Sequence, residues 1–204
     1  MVQKEPKPRG RPRSFDADEV LVKARAAFWN LGYAATSLDD LAAATGLNRP
    51  SLYAAFGDKH ALYMATLERT RAGAVAAMRV MLGRDGALRD VLGGLFKAAI
   101  GGYVEGDLGQ RGCFIVGTAV TQSVEDPQAR ALLTAFIADE DEMFRARFAR
   151  AADELAAGMT PQTAAMVATA ALQSLAIRAR TGEPAEGLAR IAEATVTAVC
   201  GPAT

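Results

Sequence analysis

The residues best equipped for chemistry gather in one short stretch, and their chemistry is recognition rather than bond making. Asn48, Arg49 and Ser51 surround Pro50 at the head of an apolar-periodic segment. Amide, guanidinium and hydroxyl groups placed there can hydrogen-bond to base edges in a DNA groove. Ser37 opens an earlier helical segment, where its hydroxyl and the free amides of a helix start could hold a phosphate. Ahead of all these, Lys4, Lys7, Arg9, Arg11 and Arg13 stand against Glu5 alone.

Catalytic groups are scarce. His60 is the sole histidine, and no Ser-His-Asp set, phosphate loop or dinucleotide glycine fingerprint can be assembled. No enzymatic activity and no cofactor are expected. A metal site wants several ligands at fixed spacing. Here one histidine, two distant cysteines (Cys113 and Cys200) and the run Asp139-Glu140-Asp141-Glu142 are all there is. The acidic run reads as a solvated patch paired locally with Arg145. Two cysteines are too few for a disulfide framework and fit a reducing compartment.

The chain has 204 residues, half of them apolar, and its formal charge is zero. That is enough for a real core, and contact with nucleic acid must rest on local basic patches rather than bulk charge. No apolar run approaches the ~18 residues of a membrane span, and no apolar stretch follows the basic start as in a signal peptide. The expectation is a cytoplasmic protein, nucleoid-associated when on DNA, with no membrane partner.

The elements that would position these residues are helices throughout. Alternating β-branched runs are missing, while Ala, Leu, Arg and Glu dominate. Asp16 and Glu19 have capping-box spacing, with Phe15 and Val20 placed as a hydrophobic staple. Val20, Ala24, Ala27, Phe28 and Leu31 form one face of a first helix that Gly32 should end. Ser37 with Asp40 starts a second helix, closed at Thr45-Gly46. Asn48 caps a third, with Leu52 and Phe56 as its buried pair and Pro50 in its first turn. A longer fourth helix is expected from Lys59 to Met81. Further helices are expected at about 85–105, 113–123, 127–157, 161–181 and 185–200, with a loop at 105–112. The fold class is therefore all-α, with about nine helices. A basic arm (1–14) precedes a helix-turn-helix domain (15–60) and a larger helical domain (61–204).

Three short helices joined by a four-residue turn at Thr45 to Asn48 have the dimensions of a helix-turn-helix. The stretch Gly32-Tyr33, Thr36-Ser37-Leu38, Ala42, Thr45-Gly46-Leu47 and Ser51 through Lys59 resembles the DNA-binding signature of the tetracycline-repressor (TetR) family. The resemblance covers about residues 15–62. It implies that Tyr53 and Lys59 clamp phosphates and that Asn48, Arg49, Pro50 and Ser51 face the groove. Two departures stand out: Ala55 replaces a frequent aromatic, and Pro50 replaces a frequent glycine. Arg9-Gly10-Arg11-Pro12 resembles an AT-hook core, suited to a narrow A·T minor groove.

The resemblance further implies a regulator, most often a repressor, that binds a palindromic double-stranded operator as a homodimer and is released by a small-molecule effector. In such proteins the last two long helices usually pair the chains. Here those helices are rich in alanine, and a charge at Ala168 or Ala194 is expected to separate the dimer. Phe96, Tyr103, Cys113, Phe114, Phe136, Met143 and Phe144 are the candidate effector-binding residues. Arg111-Gly112-Cys113 resembles a segment of a TetR subgroup that includes a copper-linked regulator. A redox or metal response through Cys113 is therefore the alternative to a pocket. A non-catalytic helical interaction module is a further alternative.

Overall fold

The computed structural model describes residues 15–104 and 110–202. The basic arm, with Arg9 and Arg11, lies outside the described residues. Among the described residues there are nine α-helices, one 3-10 turn and no strand. The helices are α1 (Ala17–Ala35), α2 (Leu38–Thr45), α3 (Arg49–Phe56), α4 (Lys59–Leu82), α5 (Leu88–Val104), α6 (Phe114–Gln122), α7 (Pro127–Ala149), α8 (Pro161–Arg180) and α9 (Ala185–Cys200). None of them is long and apolar enough to cross a membrane.

The start of α1 departs from expectation. Asp16 does cap the helix, but it accepts from the Asp18 amide. Glu19 makes no reciprocal box and instead pairs with Lys23 one turn on, at 2.7 Å. Val20, Ala24, Ala27 and Phe28 are buried as the periodicity requires, whereas Leu31 is half exposed. The helix does not simply end at Gly32. That residue kinks it at φ 77°, ψ 163°, a conformation only glycine adopts readily, and a further helical stretch reaches Ala35. Thr36, fully buried, closes the kink by donating both its amide and its hydroxyl to the Gly32 carbonyl.

Two apolar clusters hold the molecule together. One joins Val20, Phe28, Leu41, Leu52, Leu62, Tyr63 and Leu67 to Phe114, Ile115, Ala119, Leu132 and Phe136 of α6 and α7. The other unites Met78, Leu82, Leu92, Phe96, Phe144, Phe148, Ala168, Leu172, Leu188 and Val196. The helix α4 runs through both, contributing Leu62 to Leu67 at its start and Met78 and Leu82 at its end. Its 24 residues make a rod about 36 Å long, so α3 and the larger bundle share one stiff element.

Expected helix ends hold at α8 and α9 but not at α7, which stops at Ala149 rather than near 157. No breaker residue marks that stop. Tertiary contacts decide it: Ala151 is buried, the Arg150 guanidinium donates to the Leu82 carbonyl, and the Ala156 amide donates to Val199. The alanine-rich faces are also divided differently from expectation. Ala164, Ala165 and Ala168 are fully buried within this one chain, where they let α8 pack closely on its neighbours. Ala168 therefore belongs to the core and cannot test a surface; the outward face of α8 carries Met166 and Ile177, each more than half exposed.

Candidate nucleic-acid interface

The α2–α3 pair is fixed by local hydrogen bonds that its sequence encodes. Ser37 and Asp40 form a full capping box: the Asp40 amide donates to Ser37 Oγ, and the Ser37 amide and hydroxyl donate to Asp40 Oδ2. At the turn, Gly46 adopts the left-handed C-cap, and the buried Thr45 hydroxyl donates to Leu41 while accepting from the Leu47 amide. Asn48 caps α3 through Oδ1, which accepts from the Ser51 amide at 2.9 Å. The sequence names Thr45 with Gly46 as the close of α2 but gives no role to the Thr36 and Thr45 hydroxyls. A threonine four residues after a helical carbonyl and near a glycine is the signal that could have found them.

These bonds decide which side chains remain available. Ser37 Oγ is engaged in its box, and Asp39 and Asp40 make the first turn of α2 acidic, so the phosphate-holding capacity expected there falls to backbone amides. Asn48 and Pro50 are exposed at the head of α3, Ser51 is half-buried behind them, and Tyr53 is half exposed one turn on. Arg49 is exposed too, but its guanidinium makes a two-pronged pair with Asp39, Nε lying 2.7 Å from Oδ1. This bond holds the Asp39 carboxyl below its ordinary range and pushes the arginine further up.

Lys59 stands at the first position of α4, just past the Asp58 cap. Its ammonium lies over the Tyr33 ring, 4.5 Å from the centroid, and donates to the Ala34 carbonyl at 3.4 Å. Partial burial lowers its pKa from the ordinary lysine value. His60, next along, packs edge-on against the same Tyr33 ring, with 6.4 Å between centroids. Its Nε2 lies 2.7 Å from Asp126 Oδ2, the carboxylate that caps α7. The helix-turn-helix is further joined to α6 by Trp29 and Tyr63, which pack edge-on against Phe114, and by the Tyr63 hydroxyl, 3.0 Å from Thr118 Oγ1.

Behind this head lies a cavity of about 240 Å³ between α4, α5, α7 and α8. Tyr103, Cys113, Phe136 and Met143 line it, together with Met78, Met81, Leu172 and Glu140. Phe96, Phe114 and Phe144 do not: they are fully buried in the two cores, Phe144 stacked on Phe148. Nor is the acidic run uniformly solvated. Asp139 pairs with Arg71 at 2.6 Å and Glu142 with Arg145, while Glu140 is only 5% exposed and faces the cavity. Helical phase explains the miss, because a fourth of a run of charges can turn inward while its neighbours point out. Burial pushes the Glu140 carboxyl up to about 8 and the Cys113 thiol up to about 11. Gly112 is required where it stands: at φ 67° it is buried so tightly that an added Cβ would lie 2.0 Å from the Ala176 carbonyl oxygen.

Comparison with known proteins agrees with this architecture. Residues 20–66 match the family described as bacterial regulatory proteins, tetR family. The transcriptional repressor ComR of Escherichia coli K12 is 38% identical over 118 residues, 57% of this chain and 56% of ComR, so the chain spans little more than half of that relative. The TetR-family regulator CifR, solved as a cysteine mutant complexed with 26-bp double-strand operator DNA, is 31% identical with a TM-score of 0.82, covering 92% of this chain and 99% of its own. Reduced E. coli NemR, at 17% identity and a TM-score of 0.77 over 91% of this chain and 98% of its own, is alike in fold. Together with the helix-turn-helix built from Ser37 to Phe56, these likenesses place the chain in the TetR family of bacterial transcriptional regulators.

Proposed function

We propose that the chain is a cytoplasmic DNA-binding transcriptional repressor that grips a palindromic operator as a homodimer. The observation that carries this reading is the exposed head of α3, where Asn48, Arg49, Pro50 and Tyr53 project from a helix locked by its own caps. Asn48 and Arg49 read base edges, with Ser51 behind them, while Tyr53, Lys59 and the amides of the α2 start hold phosphates. Arg9 and Arg11 of the arm reach the neighbouring minor groove. One helix-turn-helix seldom binds tightly alone, so two chains pair through the outward faces of α8 and α9. Gel-shift titration on the DNA upstream of the protein's own gene tests this: two chains per shifted duplex is the expected stoichiometry.

Control comes from a small effector in the cavity. Five cavity residues belong to α4, the helix that also carries Lys59 and His60 at its other end. An effector that prefers a displaced α4 moves the reading heads out of register and lowers operator affinity by its differential binding. Cys113 supports a second reading, because it lines the same cavity. A thiol held up to about 11 by burial is, however, a weak nucleophile at neutral pH. Cys113→Ser separates the two. Operator release by an effector survives it under the cavity reading, and release by oxidant or copper is lost under the other.

A further inference from the structure

Among the described residues of the cavity wall only Tyr103, Cys113 and Glu140 carry polar side-chain atoms. The others are alanine, valine, leucine, methionine and phenylalanine, and none is basic. Glu140 is therefore an acid deep in an apolar chamber. Among the described residues its one side-chain partner is Gln173, whose Nε2 stands 3.4 Å from Oε2, a long contact. Its chain neighbours Asp141 and Asp139 disfavour its ionised form further. A buried carboxylate without a cation is costly, and an apolar core has no need of one.

We propose that this cavity binds a small apolar molecule bearing one cationic amine, its nitrogen against Glu140 and its hydrocarbon body among Met78, Met81, Phe136 and Met143. The proposal rests on the reading of the cavity as the effector site and names the class of effector. An anion is disfavoured, since no described wall residue is basic. A neutral apolar guest would leave the carboxyl as unmatched as before. An ammonium supplies the missing partner through a charge-assisted hydrogen bond. The rings of Tyr103 and Phe136 stand in the same wall, and the thioethers of three methionines adapt to the body. On binding, the ligand stays an ammonium and Glu140 releases any proton it holds to solvent. At about 240 Å³ the chamber sits just below the roughly 300–1,000 Å³ of drug-sized sites, which limits the body to about one ring and a short chain.

The test titrates the full-length protein calorimetrically with three probes that share one body: phenylbutylamine, phenylbutanol and phenylbutanoate. The amine is expected to bind at least about tenfold tighter than the alcohol, and the carboxylate more weakly than either. Glu140→Gln should erase the amine's preference while keeping the alcohol's affinity, which also shows that the variant is folded. Ala98→Trp, at the cavity wall, should abolish binding of all three. Equal affinity for amine and alcohol in the wild type overturns the cationic class and leaves the cavity reading standing; so does an amine preference that survives Glu140→Gln. No binding by any probe, or binding untouched by Ala98→Trp, overturns the cavity reading and the proposal with it.

Discussion

His60 Nε2 and Asp126 Oδ2 lie 2.7 Å apart, tying the first turn of α4 to the cap of α7. The bond spans 66 positions of sequence and joins the residue after Lys59 to a helix whose middle lines the cavity. If α7 passes cavity events to the DNA head, this contact is part of the path. His60→Ala should cost about 1 kcal/mol or less in stability, the worth of one part-exposed hydrogen bond. It should leave operator affinity within a few-fold while blunting the effector's power to release DNA. Thermal melts and operator release titrations read both effects, and an unchanged effector response would remove His60 from the path.

Arg49 is held by Asp39 in the free protein, so reading a base requires the pair to open or to turn as a unit. Arg49→Ala should relax sequence preference, costing roughly 1–3 kcal/mol at one base position. Asp39→Asn should raise affinity for random DNA and steepen its salt dependence, because it frees one guanidinium for phosphate. Fluorescence anisotropy on specific and random duplexes separates the two. Equal losses on both duplexes for Arg49→Ala would make Arg49 a phosphate contact.

Lys59→Ala should weaken binding to every sequence and reduce the salt slope by about one. It should also loosen the α1–α2 turn, since the ammonium leaves the Tyr33 ring, a contact worth about 0.5–1 kcal/mol at an exposed site. Tyr53→Phe should share the first effect and lack the second. Salt-series anisotropy and melting temperatures check the contrast.

The dimer face is testable at residues that a single chain leaves uncovered. Ile177→Asp should yield folded monomers that fail to bind operator, because Ile177 is 54% exposed on the outward side of α8. Ala168→Asp should instead unfold the protein, since its site is fully buried and an unpaired charge there is prohibitive. Light scattering with circular dichroism distinguishes the outcomes; dimers that survive Ile177→Asp move the interface elsewhere.

Two buried or half-buried acids give stability opposite slopes with pH. Burial pulls the Asp126 carboxyl up, but the His60 hydrogen bond and the Ala129 and Gln128 amides outweigh it and leave it below the ordinary value. Its contribution is present above the unfolded carboxylate range and is lost as pH falls through the lower folded value. Glu140, held up to about 8, works the other way: its protonated form is favoured in the fold, so stability declines as pH rises from the ordinary glutamate range, 4.5, toward 8. The acids at 139 and 141, Gln173 and the Tyr103 and Cys113 side chains are the groups that face or adjoin it. Glu140→Gln should flatten that decline by up to a few kcal/mol. Denaturant titrations at a series of pH values check it, and parallel curves for wild type and variant would contradict it.

Most of the helices were legible because their boundaries are local. The Ser37–Asp40 box, the Asn48 cap and the prolines at 127 and 161 act over one turn and need no partner from elsewhere. What sequence alone missed depends on tertiary context. The end of α7 is set by contacts to Leu82 and Val199, and Leu31 is turned to solvent by how α1 seats on α4. Within the site, the residue types at α3 were legible, but the Arg49–Asp39 bond joins two helices and the His60–Asp126 bond joins distant ones. Glu140 was hidden for the same reason: only the packing of α7 against α4 and α8 shows that one acid in a run of four points inward.

The account stands most directly on what DNA the protein selects. Purified protein should be offered a random duplex pool and the retained sequences read, with and without phenylbutylamine. The account predicts an inverted repeat whose half-site centres lie about 34–36 Å or a whole number of helical turns apart, with A·T-rich flanks for the arm. It predicts that the amine erases that enrichment. Retention of no common sequence, or of a single unrepeated site bound by one chain, would contradict it.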